Sequence, residues 1–160
     1  MIIKWDITIP QLSGDQVRKA YVYLPESYEE DPERRYPVMY LFDGHNVFFD
    51  EDATYGTSWG MYDYMEESGK QLILVGIECN REGDGRLREY APVTFENSEL
   101  GQIKGEGKRY MHWLIKELKP YIDGNFRTLP DRENTMICGS SMGGLMALYA
   151  ATTFNHVFQR

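Results

Sequence analysis

The sequence predicts an α/β fold built on a mostly parallel sheet, and three observations carry that expectation. Two early segments alternate apolar and polar residues, as half-buried antiparallel strands do. Two later runs, residues 38–42 and 72–77, are continuously apolar, as strands buried on both faces are. Segments of helical periodicity separate the later strands, the signature of crossover units.

Taken in order, residues 2–9 place Ile3, Trp5, Ile7 and Ile9 on one face, and residues 20–24 repeat that period after the turn Ser13-Gly14-Asp15. A polar stretch, residues 25–35, leads to Val38-Met39-Tyr40-Leu41-Phe42, stopped by Asp43-Gly44. Before the next strand, Trp59, Tyr62, Met65 and Glu66 lie at helical spacing, with Ser58 as the expected N-cap and Gly69 as the stop. Across residues 105–123 the apolar positions Tyr110, Trp113, Leu114, Leu118, Tyr121 and Ile122 recur every three or four residues, a helix packed on the sheet, its last turn bent by Pro120. The turn Leu129-Pro130-Asp131-Arg132, a short strand over residues 135–138 and a small-residue helix over about 142–153 complete the pattern.

The chain has 160 residues, enough for one core and too few for two, so a single domain over 1–160 is expected. Its 25 acidic residues outnumber 17 basic ones, with no basic run beyond Arg34-Arg35, which argues against a nucleic-acid partner. No apolar run approaches the roughly 18 residues of a membrane span, and the first residues lack a leader pattern; no membrane association and a cytoplasmic location are expected. Cys79 and Cys138 each close an apolar run and read as buried strand-end thiols rather than a disulfide. His45, His112 and His156 have no metal-ligand spacing with one another or with the cysteines, so neither metal nor cofactor is expected.

The chemistry sits in Gly139-Ser140-Ser141-Met142-Gly143, which matches the nucleophile elbow G-x-S-x-G between an apolar strand and a helix rich in Ala, Leu and Gly. The bare pattern arises by chance in roughly one chain of this length in twenty, and the strand-turn-helix context removes most such accidents. The turn is so tight that the residues flanking the serine must be small, while the Ser141 hydroxyl stands at a helix N-terminus, where the Met142 N–H can face a developing oxyanion. The alternative is that the glycines only permit close strand-helix packing and Ser141 is an N-cap.

With Leu129-Pro130-Asp131-Arg132, Phe42-Asp43-Gly44-His45-Asn46-Val47-Phe48, Tyr36-Pro37-Val38-Met39-Tyr40 and Arg86-Leu87-Arg88-Glu89-Tyr90-Ala91-Pro92, the elbow resembles an esterase family that includes enterochelin, feruloyl and acetyl-xylan esterases and S-formylglutathione hydrolase. The resemblance implies an α/β-hydrolase sandwich, here its first five strands with flanking helices and without the C-terminal strands and helices. It also implies a serine carboxylic-ester hydrolase acting on a small-molecule or carbohydrate-linked ester. Ser141 would be the nucleophile, and the backbone N–H groups of Met142 and His45 the oxyanion hole, with Asn46 the second choice for the latter. Alternatively, Asp43-Gly44 is only a strand-ending turn. Arg86, Arg88 and Tyr90 fall near the mouth of such a site, to contact substrate or to fix their loop.

In α/β-hydrolases an acid and then a histidine follow the nucleophile. The 19 residues after Ser141 contain no Asp or Glu and one histidine, His156, which a helix would carry some 18 Å away. The acid and base are therefore expected beyond residue 160 of a longer parent, with the isolated chain inactive; the alternative is an inactive module that binds a ligand or a protein. The strand 135–138 would become an edge, inviting self-association.

Overall fold

Strand alternation closes as expected into an N-terminal hairpin. In the computed structural model, which describes residues 1–159, β1 (Ile2–Thr8) runs antiparallel to β2 (Val17–Tyr23), with Trp5 opposite Ala20; the short helix α1 (Pro10–Ser13) fills the turn. After α2 (Ser27–Glu30), β3 (Val38–Phe42) enters the sheet centre, α3 (Met61–Ser68) crosses over, and β4 (Ile73–Ile77) returns parallel to β3. Next come α4 (Gly85–Glu89) and a small hairpin of β5 (Phe95–Asn97) and β6 (Gly101–Ile103). A long helix follows, in three parts: α5 (Gly107–Trp113), a π-helical segment Leu114–Leu118, and α6 (Lys119–Asn125). Last are β7 (Thr135–Cys138) and α7 (Met142–Thr153).

The main sheet has the order β1-β2-β4-β3-β7. It is mixed, the expected antiparallel hairpin being followed by parallel strands, as in an α/β fold. The hairpin joins through β2, which runs antiparallel to β4, so only the β4-β3 and β3-β7 pairs are parallel. Strand alternation builds two cores. Ala20, Val22, Tyr40, Phe42, Val75 and Ile77 face α5, α6 and α7, while Tyr21, Tyr23, Leu41 and Leu74 face Val47, Phe48 and Met65 of the α3 side.

Three local expectations need correction. Ser58 is not the cap of α3; Gly60, with φ of 66°, precedes the first turn, and the Ser58 hydroxyl instead accepts the Gly60 N–H at 3.2 Å. Pro120, expected in the last turn, stands at the start of α6 directly after a π-helical segment: lacking an N–H, it cannot return a bond to the preceding turn, and the helix widens just before it. The β5-β6 hairpin was not anticipated; Asn97 closes its turn by accepting the N–H groups of Glu99 and Leu100, each at 2.9 Å.

Cys79 and Cys138 are both free, as the strand order requires, since β3 lies between the strands that lead to them. Cys138 is only partly buried. Arg18 on β2 and Glu89 on α4 form an ion pair with both side chains 1% exposed, Nη1 to Oε1 at 2.8 Å. Glu89 Oε1 also accepts the Asn80 N–H at 2.7 Å, and Arg18 Nη2 donates to Ser13. β7 pairs with β3 alone among the described strands, its other side meeting only the Gln159 N–H at Thr135 O. On α7, Leu145 and Leu148 are 45% and 63% exposed. Among the described residues no helix is long and apolar enough to cross a membrane.

Candidate active site

The elbow forms where β7 gives way to α7. Ser141 has φ 56° and ψ −123°, and it is one of two non-glycine residues with positive φ among those described. For a residue with a Cβ this conformation is strained, and it holds the exposed side chain clear of the turn. The hydroxyl makes no capping hydrogen bond to α7, so capping does not account for Ser141. A Cβ at position 139 would lie 2.4 Å from the Gly143 carbonyl carbon and oxygen, which is why the turn takes glycine there. In the first turn of α7 the Gly143 N–H donates to Ser140 O and the Leu145 N–H to Ser141 O. The Met142 N–H has no acceptor among the described residues.

The second wall is the turn after β3. Asp43 adopts the left-handed conformation (φ 57°), the other positive-φ residue, and Gly44, His45 and Asn46 form one 3₁₀ turn. Within it the Asn46 N–H donates to Asp43 O at 2.8 Å and the Val47 N–H to Gly44 O at 3.2 Å. The His45 N–H has no acceptor among the described residues, which separates the two oxyanion candidates: the donor of Asn46 is spent inside the turn and that of His45 is not. Asn46 works through its side chain and carbonyl, accepting the N–H groups of Thr54 and Trp59. Gly44 sits directly against β4; a Cβ there would lie 2.4 Å from Gly76 C and Ile77 N.

Asp43 is 1% exposed, and Arg86 of α4 grips it with Nε to Oδ1 and Nη2 to Oδ2, both 2.8 Å. That bond raises the Arg86 pKa. The Asp43 N–H donates to Tyr90 Oη at 3.0 Å, and Tyr90 is fully buried between Phe42 and Tyr110. Of the two roles open to Tyr90, substrate contact or fixing its loop, this burial and hydrogen bond fit the second. Arg88 pairs with Asp84 on the outside of α4 and does not line the cavity described next. Arg86 both fixes the loop and reaches the cavity.

That cavity, of about 270 Å³, is lined by His45, Asn46, Thr54, Tyr55, Cys79, Arg86 and Ser141. A cavity of about 300 Å³ lies elsewhere, among Trp5, Ile7, Trp113, Leu118 and Tyr121, but it is apolar and remote from the elbow, so chemistry singles out the first. The His45 imidazole is 2% exposed; Nε2 meets Thr54 Oγ1 at 3.0 Å, and Nδ1 has no partner. Burial lowers its pKa, outweighing the nearby Asp43. No imidazole hydrogen-bonds the Ser141 hydroxyl among the described residues. His112 and His156 lie against Phe154 and do not line the cavity.

Cys79, Thr54 and Tyr55 were missed from the sequence. Burial, then Asp43, pushes the Cys79 thiol up to about 12. Ligand-type atoms of Asp43, His45 and Cys79 lie within 4.8 Å of one another. Spacing along the chain gave no sign of this grouping, because β3 and β4 bring the residues together only after pairing in parallel, with Phe42 opposite Ile77.

A family model described as Putative esterase matches residues 13–160. Esterase Rv1288 of Mycobacterium tuberculosis is 30% identical over 136 residues, 84% of this chain and 26% of that protein. An IroE-like serine hydrolase from Shewanella oneidensis superposes with TM-score 0.76 at 25% identity, covering 99% of this chain and 48% of that one. A ferulic acid esterase from Anaeromyces mucronatus, solved with ferulic acid, has the same fold (TM-score 0.62, 24% identity, 99% and 55% covered). The chain spans about half, or less, of the length of these relatives.

Proposed function

The chain belongs to the Putative esterase family, and from that premise we propose that it carries the nucleophile and oxyanion hole of a serine carboxylic-ester hydrolase, Ser141 attacking the ester carbonyl. The observation that carries this reading is the pairing of a strained, exposed Ser141 with two backbone donors without acceptors among the described residues, those of Met142 and His45, one on each wall. A carbonyl oxygen made negative during attack is stabilised by such donors, which are fixed before the reaction and need no reorganisation.

The His45 imidazole faces Thr54 rather than the serine, so its contribution is through the backbone. We place the general base and its acid partner in the half of the longer relatives that has no counterpart in these 160 residues. The substrate is a small-molecule or carbohydrate-linked ester; Arg86, Asn46 and Tyr55 line its approach, and no nucleic acid or membrane is involved. A cytoplasmic setting is part of the same proposal. A second reading, a catalytically silent domain that binds an ester-like ligand or a protein, has one observation in its favour, the absence of any imidazole on the Ser141 hydroxyl among the described residues.

The two readings differ in covalent chemistry. Lacking a base, the 160-residue chain should acylate slowly with p-nitrophenyl acetate and deacylate slowly as well, so a single acetyl adduct accumulates. Intact mass and peptide mapping should find that adduct on Ser141 and not in Ser141→Ala. Turnover in the same assay should hardly exceed that of Ser141→Ala. A chain that remains unmodified, or is modified elsewhere, supports the silent domain.

A further inference from the structure

Asp43, His45 and Cys79 bring a carboxylate oxygen, an imidazole nitrogen and a sulfur within 4.8 Å of one another, and all three residues are buried. They lie in the two segments that directly follow the adjacent parallel strands β3 and β4, Asp43 and His45 in the turn after the first and Cys79 two residues past the second, so strand pairing brings the three together. A second observation points to a ligand. His45 Nδ1 is buried without a partner, while Nε2 is occupied by Thr54. A buried ring nitrogen left unsatisfied is costly, and with the ring proton on Nε2 its lone pair is available to accept a bond.

We propose that Asp43, His45 and Cys79 form a binding site for one thiophilic divalent ion of the zinc or cadmium type, opening onto the cavity that holds Ser141. Imidazole nitrogen, thiolate sulfur and one carboxylate oxygen make a three-ligand set for a tetrahedral ion, with the fourth position toward the cavity. On binding, the Cys79 S–H bond breaks and the proton leaves to solvent as the metal–sulfur bond forms; no electrons are transferred. Arg86 already donates one hydrogen bond to each Asp43 oxygen, so Asp43 offers a remaining lone pair beside a positive charge. An ion held by oxygen alone gains too little there, whereas an ion that gains from sulfur and nitrogen does not depend on the carboxylate. The site therefore discriminates against magnesium and calcium. Occupancy would tie the His45 turn to the segment after β4.

The test is a cadmium titration of the Ser141→Ala chain, which reads binding without ester chemistry, so its failure leaves the esterase reading intact. One equivalent should produce a thiolate-to-cadmium absorption band with release of a proton, unchanged by excess magnesium or calcium. Cys138→Ser should retain the band, His45→Gln should weaken binding about tenfold or more, and Cys79→Ser should abolish it. Circular dichroism checks each variant's fold. Should Cys79→Ser unfold, cadmium-113 NMR of the chain with both cysteines present decides instead, since a site with one sulfur and one nitrogen has a shift distinct from an all-oxygen site. The proposal is overturned by a folded chain that gives no band, by a band that survives Cys79→Ser or depends on Cys138, or by an all-oxygen cadmium signal.

Discussion

Arg86 holds Asp43 in a fork of two parallel 2.8 Å hydrogen bonds, and Asp43 is the left-handed residue that starts the turn carrying His45. The guanidinium thus sets the position of a backbone donor two residues beyond the carboxylate it touches. Arg86→Ala should cost about 2–4 kcal/mol, because it leaves a buried carboxylate uncompensated. Arg86→Lys should recover less than half, since an ammonium cannot reproduce the fork. Urea denaturation of the three proteins measures this, and an Arg86→Ala loss under about 0.5 kcal/mol would mean the pair does not hold the turn.

His45 makes stability depend on pH in a defined direction. Burial depresses its pKa below the ordinary 6.5, so as pH falls through 6.5 the unfolded chain takes up the proton before the folded chain does. The stability gained by keeping the ring neutral is present above 6.5 and is lost toward the lower folded value. His45→Gln, which keeps a polar partner for Thr54 and does not titrate, should be less sensitive to acid from about pH 7 to about pH 5. Parallel slopes for the two proteins in that window would remove His45 from the account.

The glycines of the two walls should tolerate no side chain. Gly139→Ala and Gly44→Ala each drive a Cβ to within 2.4 Å of backbone, and backbone cannot yield as a flexible side chain would. Each should cost about 3 kcal/mol or more. Gly124→Ala, which meets nothing within 4 Å, should be within about 0.5 kcal/mol of neutral or stabilising. Thermal unfolding of the three would show the contrast, and equal losses would mean the walls are looser than the geometry implies.

Leu145 and Leu148 stand exposed on α7, and β7 has a strand partner on one side only among the described strands. Self-association of the 160-residue chain is expected to rise with concentration in multi-angle light scattering. Leu148→Glu should reduce it by placing a charge in the apolar patch. If that variant associates as strongly as the parent chain, the contact lies elsewhere.

The strands of the main sheet, the longer helices and the elbow were legible because each is a local pattern: apolar runs at Val38–Phe42 and Ile73–Ile77, small residues around Ser141. The His45 turn was located for the same reason, yet the sequence could not choose firmly between the donors of His45 and Asn46, since that depends on which N–H closes the 3₁₀ turn. Cys79 was read as a buried, unbridged strand-end thiol and is one, but its place on the cavity wall was not foreseen. Its relation to His45, 34 positions earlier, exists only through the β3-β4 pairing. The antiparallel hairpin and the parallel crossover were both legible, but periodicity alone says how a strand is buried and not which neighbour its free edge will meet.

The buried Arg18–Glu89 pair constrains how this sequence can change over generations. Loss of either partner strands the other's charge beneath β2 and α4, at about 3–5 kcal/mol, enough to remove much of a small domain's margin. Exchange of both for uncharged side chains of similar volume can be nearly neutral, provided position 89 still accepts the Asn80 N–H, as Gln would. The two positions are thus free to drift only as a pair, and α4, which bears Arg86 three residues before Glu89, inherits its anchorage from a strand on the other side of β4.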